Sequence, residues 1–103
     1  MDNVVLGTEV KLNISIENIG ELTMDGYDFT CEFFCFPAKK VVLKKEDLVR
    51  VDNANYIALV DTMPIGTGEL RCKIVAMLPD GDCADGLRTE VLVMKTGINI
   101  VVR

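Results

Sequence analysis

An antiparallel all-β sandwich of seven to eight short strands is the fold this sequence predicts, and three observations predict it. Apolar residues recur at every second position in at least five segments, the period of a strand with one buried face. Turn-forming residues interrupt the chain about every 8–12 positions, the spacing of a sandwich or barrel. No stretch carries the apolar stripe of an amphipathic helix, and the one place with room for a helical turn is residues 45–47.

The stretch DFTCEFFCF, residues 28–36, anchors the pattern, with Phe29, Cys31, Phe33 and Cys35 on one face and Asp28, Thr30 and Glu32 on the other. Residues 69–77 repeat it, setting Leu70, Cys72, Ile74 and Ala76 opposite Glu69, Arg71 and Lys73. These two strands are expected to face each other across one core, with Cys31 and Cys72 pointing inward. Tyr27, Phe34 and Phe36 are read as pointing away from that face. If Phe34 and Phe36 are exposed together, they form an apolar patch of the kind found at protein interfaces.

In chain order, residues 9–17 are the first clear strand, where Val10, Leu12, Ile14 and Ile16 alternate with Lys11, Asn13 and Ser15. β-branched side chains suit that pleated surface. Asn18, Gly20 and the Asp25-Gly26 pair break it with turn chemistry. After residues 28–36, Pro37 is a stop, because it cannot donate to a ladder. Residues 41–43 make a short strand, 44–47 a polar turn, 48–51 another short strand, and Asp52-Asn53-Ala54-Asn55 a strong turn. Over residues 56–61, Tyr56, Ala58 and Val60 lie opposite Ile57 and Leu59, so both faces are apolar and an interior strand is expected. Pro64, Gly66 and Gly68 punctuate the loop that follows.

Residues 88–95 and 98–102 read as two closing strands joined by a tight hairpin at Thr96-Gly97. Ile98, Ile100 and Val102 share one face. The strand 98–102 and the segment 4–6 present bare edges, which invite pairing with another chain. Ile98 and Ile100 therefore join Phe34 and Phe36 as candidate interface residues of a homo-oligomer or docking site.

Composition narrows the function. A chain of 103 residues is read as one domain, long enough for a core that needs no metal or disulfide. With no Trp and 6% aromatic residues that core is largely aliphatic, each full burial being worth roughly 1.5–3 kcal/mol. The net charge of −5 disfavours nucleic acid and anionic lipid as partners. Lys39, Lys40, Lys44 and Lys45 run straight into Glu46 and Asp47, so they read as a solvated hairpin end. No apolar run approaches the ~20 residues needed to span a bilayer, and Met1 to Gly7 lacks the basic and apolar regions of a secretory signal. With Met1 as the natural start, a cytoplasmic protein is expected, leaving the cell only within a larger particle.

Catalysis is not expected. The chain has no His, which removes the commonest general base and the usual partner of a Ser or Cys nucleophile. Its four Cys lack a C-x₂-C pair, so zinc is disfavoured and no cofactor is expected. Cys31 and Cys35 are four residues apart on one strand face, roughly 13 Å, beyond disulfide reach. A Cys72 bridge to Cys31 or Cys35 stays open, although free buried thiols are preferred. The loop PDGDCADG, residues 79–86, brings Asp80, Asp82 and Asp85 within six positions and invites a calcium reading. It departs from the EF-hand order and lacks flanking helices, so a plain carboxylate-rich turn is preferred.

The segments GELTMDGYDFTCEFF, NYIALVDT, GTGELRCKIVAMLPDGDCADGLRTEV and TGINIVV resemble, in order, small prophage-encoded proteins found near tail genes in Bacteroides-type gut bacteria. More loosely, they are similar to the immunoglobulin-like N-terminal domain of phage baseplate upper proteins. The match runs from Leu12 to Val102 and rests on turn and core residues. It implies an immunoglobulin-like sandwich with a structural, tail- or baseplate-associated role, assembling with copies of itself or with larger tail proteins, and it carries over no catalytic residues. Unlike the baseplate proteins, the chain is expected to stand alone rather than to head a long fibre-bearing chain. A surface adhesion domain, binding carbohydrate or acting through calcium, is the alternative. It would need an exposed aromatic platform, for which only Tyr27 and Tyr56 are at hand.

Overall fold

Period-2 alternation becomes eight strands in the computed structural model, which describes residues 2–16, 21–36 and 38–102. They are β1 (Asp2–Val5), β2 (Glu9–Ser15), β3 (Asp28–Phe36), β4 (Lys39–Lys44), β5 (Val49–Asp52), β6 (Asn55–Asp61), β7 (Gly68–Pro79) and β8 (Leu87–Val101). Two single turns of 3-10 helix lie at Met24–Gly26 and Lys45–Asp47. The second falls where the sequence left room for one, and the Asp47 carboxylate accepts from the Lys44 amide at 2.9 Å to close it. The breaks read at Asn18 and Gly20 and the stop read at Pro37 lie outside the described residues.

The strands form two sheets, a five-stranded one ordered β1-β8-β7-β3-β4 and a three-stranded one ordered β2-β6-β5. β6 is the middle strand of the smaller sheet, as expected of an interior strand, with Tyr56, Ala58 and Val60 buried, but its other face is open, Leu59 being 48% exposed. The larger sheet contains a correction. β3 and β7 do not face each other across the core but lie side by side, in a register that sets Cys31 against Ile74 and Phe33 against Cys72. Volume explains the pairing, since Phe29 stands opposite Ala76 and Phe33 opposite Cys72, large against small on one inward face. Across the core, β3 meets β6 instead, and the Phe29 ring packs edge-on against Tyr56 with centroids 5.4 Å apart.

β8 is the second correction. Thr96-Gly97 is not a hairpin turn but an irregularity within one continuous strand. Glu69 pairs with Asn99 and Arg71 with Lys95, so Leu70 alone faces Thr96, Gly97 and Ile98. Gly97 takes φ +77° there, a conformation that favours glycine. The Thr96 hydroxyl stitches the distortion, donating to the Leu70 carbonyl at 2.8 Å and accepting from the Ile98 amide at 3.2 Å.

The bare edges expected at segments 4–6 and 98–102 cover each other, because β1 pairs in parallel with β8 from Asp2 against Ile98 to Val5 against Val101. The chain then crosses to the smaller sheet within three residues. Gly7, at φ +96°, makes the corner, and the buried Thr62 hydroxyl holds it, accepting from the Gly7 amide at 2.9 Å and donating to the Thr8 carbonyl at 2.8 Å.

Unequal sheets leave an elongated molecule. A strand of 15 residues spans roughly 50 Å at about 3.3 Å per residue, which equals the longest extent of 50 Å. The β7–β8 hairpin therefore sets the long axis, and a radius of gyration of 14.7 Å exceeds the ~13 Å of a compact chain this size.

Candidate functional site

The residues singled out from sequence do not converge. On the outer face of the larger sheet, Phe34 lies between Arg71 of β7 and Lys40 of β4 and is half-buried, its neighbours' aliphatic stems being able to cover a ring. Phe36 is 60% exposed, beyond a register shift that separates it from Phe34. Ile98 packs partly buried against the core and Ile100 is 1% exposed, so neither forms an open edge. Tyr27, expected to point outward, is buried as well. It stands two residues before Phe29 and so shares its parity, with the two ring centroids 6.1 Å apart.

Two of the acidic loop's three carboxylates are engaged by neighbouring groups. Asp80 accepts from the Asp82 amide at 3.0 Å and pairs with Arg88 at 3.2 Å, and Asp85 accepts from the Leu87 amide at 3.1 Å. Among the described residues no group of three His, Cys, Asp or Glu side chains is placed to hold a metal ion. Cys31 and Cys72 are buried and free, while Cys35 and Cys83 are half-buried. The hydrogen bond with Cys31, together with burial, pushes the Cys72 thiol well above its ordinary value. Burial and the Glu69 carboxylate raise that of Cys35.

One charged cluster was not anticipated. Asp25, on the 3-10 turn, accepts a bidentate pair from Arg50 of β5, at 2.9 and 2.7 Å, and a hydrogen bond from the Tyr56 hydroxyl of β6. Arg50 and Tyr56 hold the Asp25 carboxyl down to about 2, while burial and the Asp25 carboxylate raise the Tyr56 hydroxyl. At neutral pH one group is thus ionised and the other protonated, which makes a pin rather than an acid–base pair. Beside it lies an open cleft of about 630 Å³, lined by Asp28, Thr30, Lys44, Lys45, Glu46 and Leu48 among others. The Lys45 ammonium donates to the Tyr27 carbonyl at 2.7 Å and sits 5.7 Å from the Phe29 ring centroid. Charges of both signs line that cleft, with no single-sign field for a ligand.

A further exposed feature is the open side of β8. β1 pairs only with its last residues, from Ile98 to Val101. Over residues 87–97 no strand among the described residues pairs with its outer side. Val91, Leu92 and Val93 are 56%, 52% and 54% exposed there, one after another. Val91 and Val93 stand opposite Val75 and Lys73 on the outer face, while Leu92 stands opposite the buried Ile74 on the core face. Because the second sheet has three strands against five, part of the larger sheet's core face lacks a facing strand. A groove of about 180 Å³ opens there between Ile16, Tyr27, Ile74, Ala76 and Leu92. The signal was present in the sequence as VLVM, an apolar run on both faces of a strand, which ordinarily means cover on both sides.

Comparison with known proteins finds no family model, no curated protein and no solved structure that matches the chain.

Proposed function

We propose that this chain is a non-enzymatic assembly module that joins a larger structure through the open side of β8. The observation that carries this reading is the run Val91, Leu92, Val93, half-exposed on a strand whose outer side is unpaired. Proteins ordinarily blunt such an edge with charge, Pro or a bulge; here Arg88, Glu90, Lys95 and the Thr96-Gly97 distortion flank the run, and the apolar stretch between them is open to a strand from a partner. The mutual pairing of β1 and the end of β8 supports it too, because it leaves residues 87–97 as the stretch in need of cover.

The setting proposed is a prophage tail or baseplate. It rests on the sequence resemblance and on an immunoglobulin-like reading of the fold. The strand order supports that reading: the first strand lies parallel to the last, next to β7, β3 and β4, against a second sheet of β2, β6 and β5. The adhesion alternative draws no support from the aromatics, since Tyr27 and Tyr56 are both buried. Mass spectrometry of particles induced from the host strain tests the setting. The chain is expected among tail proteins, with tail, baseplate or lysis genes flanking its own. Its absence from particles, with polysaccharide-utilisation genes as neighbours, would reverse the reading.

A further inference from the structure

We propose that the outer face of the larger sheet, at its Phe34 end, binds an acidic segment of a partner protein, whose carboxylates meet Lys40, Arg71 and Lys95. This surface is a sheet face, separate from the strand-adding role of the β8 edge, so each can hold without the other. Register builds it. Phe34 of β3 stands opposite Lys40 of β4 on one side and Arg71 of β7 on the other, and Arg71 stands opposite Lys95 of β8. Three cations and one aromatic ring therefore form a single row across four strands, about 14 Å long at about 4.8 Å between strands.

The charges on this row are not balanced from within. Arg71 and Lys95 are like charges directly opposed, an arrangement that costs stability, and Arg71 is exposed with no ion-pair partner among the described residues. The next row sets Lys73 of β7 opposite Glu32 of β3, and that one carboxylate serves two ammonium groups, Lys40 at 2.7 Å and Lys73 at 3.9 Å. Glu69 reaches Lys95 only at 3.9 Å. Four cations thus face two carboxylates, and the carboxylates lie low. The Glu32 side chain is 13% exposed, against 47% for Lys40 and 73% for Lys95. What projects to solvent here is positive, on a chain whose net charge is −5.

A carboxylate suits the gap between Arg71 and Lys95, because the guanidinium fork binds both its oxygens at once and the anion relieves the opposed pair. Phe34 is half-buried between its cations. Val42 and Val93, 48% and 54% exposed, stand at the two ends of the Glu32–Lys73 row and offer apolar contact beside the charges. An acidic protein segment carrying an apolar side chain meets both features. Nucleic acid meets only the first, and a long polyanion that runs past the row enters the repulsive field of an acidic chain.

Fluorescence anisotropy at low ionic strength tests this, with a fluorescein-labelled peptide of Glu residues on either side of one Phe and, as a second probe, a labelled DNA duplex. The peptide is expected to bind saturably, to loosen as salt is added, and to shift the amide resonances of residues 32–34, 40–42, 71–73 and 93–95 in the wild type. Arg71→Glu and Lys95→Glu are each expected to weaken it by about tenfold or more. Lys11→Glu makes the same charge change at an exposed position on the smaller sheet and is expected to weaken it by less than about twofold. Circular dichroism checks the fold of each variant, and the wild-type resonance shifts decide where a variant fails to fold. No saturable binding, equal weakening by Lys11→Glu, or shifts centred on the cleft beside Lys44 and Lys45 overturns the site. A duplex that binds more tightly than the peptide overturns the acidic-protein partner and assigns the row to nucleic acid instead.

Discussion

At the scale of single residues, polar side-chain contacts fix where the strands meet. Asp25 ties a 3-10 turn to β5 and β6 through Arg50 and Tyr56. Its carboxyl is held at about 2 by those partners, below the ~3.9 of an unfolded Asp. A depressed folded value stabilises the fold above the unfolded pKa and stops doing so as pH falls through the folded one. Urea unfolding of Asp25→Asn is therefore expected to show lower stability than wild type near neutral pH and a smaller loss between about pH 4 and pH 2. Parallel acid limbs in the two proteins would contradict the pin. Thr62→Val removes both hydrogen bonds at the Gly7 corner and is expected to cost about 1–2 kcal/mol in the same assay. Among the thiols, Cys83 is expected to alkylate first, Cys35 slowly, and Cys31 and Cys72 only on unfolding, as mass spectrometry of iodoacetamide-treated protein will read. Cys72→Asp would set a charge in an aliphatic core and is expected to destabilise by several kcal/mol.

At the scale of elements, the alternation of β2, β3 and β7 was legible because each pattern carries its own answer: one face buried, one wet. Pairing was not, since period 2 says which face of a strand is buried and nothing about which strand lies beside it. Hence Phe33 beside Cys72 within one sheet was missed, as was the mutual cover of β1 and β8, a parallel contact between the two ends of the described chain. Thr96-Gly97 misled for a local reason. A glycine at positive φ serves a hairpin turn and a bulge equally well, and the Thr96 hydroxyl bond that decides for the bulge goes to Leu70, far away in sequence. Gly97→Ala places a Cβ at φ +77° and is expected to cost about 1–2 kcal/mol, read as a lower melting temperature. A neutral result would mean that the bulge relaxes into another shape.

At the scale of the whole molecule, the inequality of the two sheets matters most. A sandwich of five strands against three leaves part of the larger sheet without a facing strand, and β8 carries Val91, Leu92 and Val93 half-exposed on both its faces. Ile98 and Ile100, named from sequence as candidate interface residues, lie after the exposed run on the same strand and are covered by β1, a cover that is invisible until the fold is closed. The outer face of the larger sheet is a poorer docking surface for an apolar strand, crossed by the Lys40–Glu32 pair at 2.7 Å and by Lys73 on the far side of Glu32. Amide hydrogen exchange along β8, followed by NMR over a concentration series, tests the docking role of this edge most directly. At low concentration, protection over residues 87–95 should alternate, since every second amide points to β7 and the others to water. Association through the edge predicts that the unprotected amides become protected as concentration rises. Protection that stays alternating in β8 while the protein associates would show that the copies meet somewhere else.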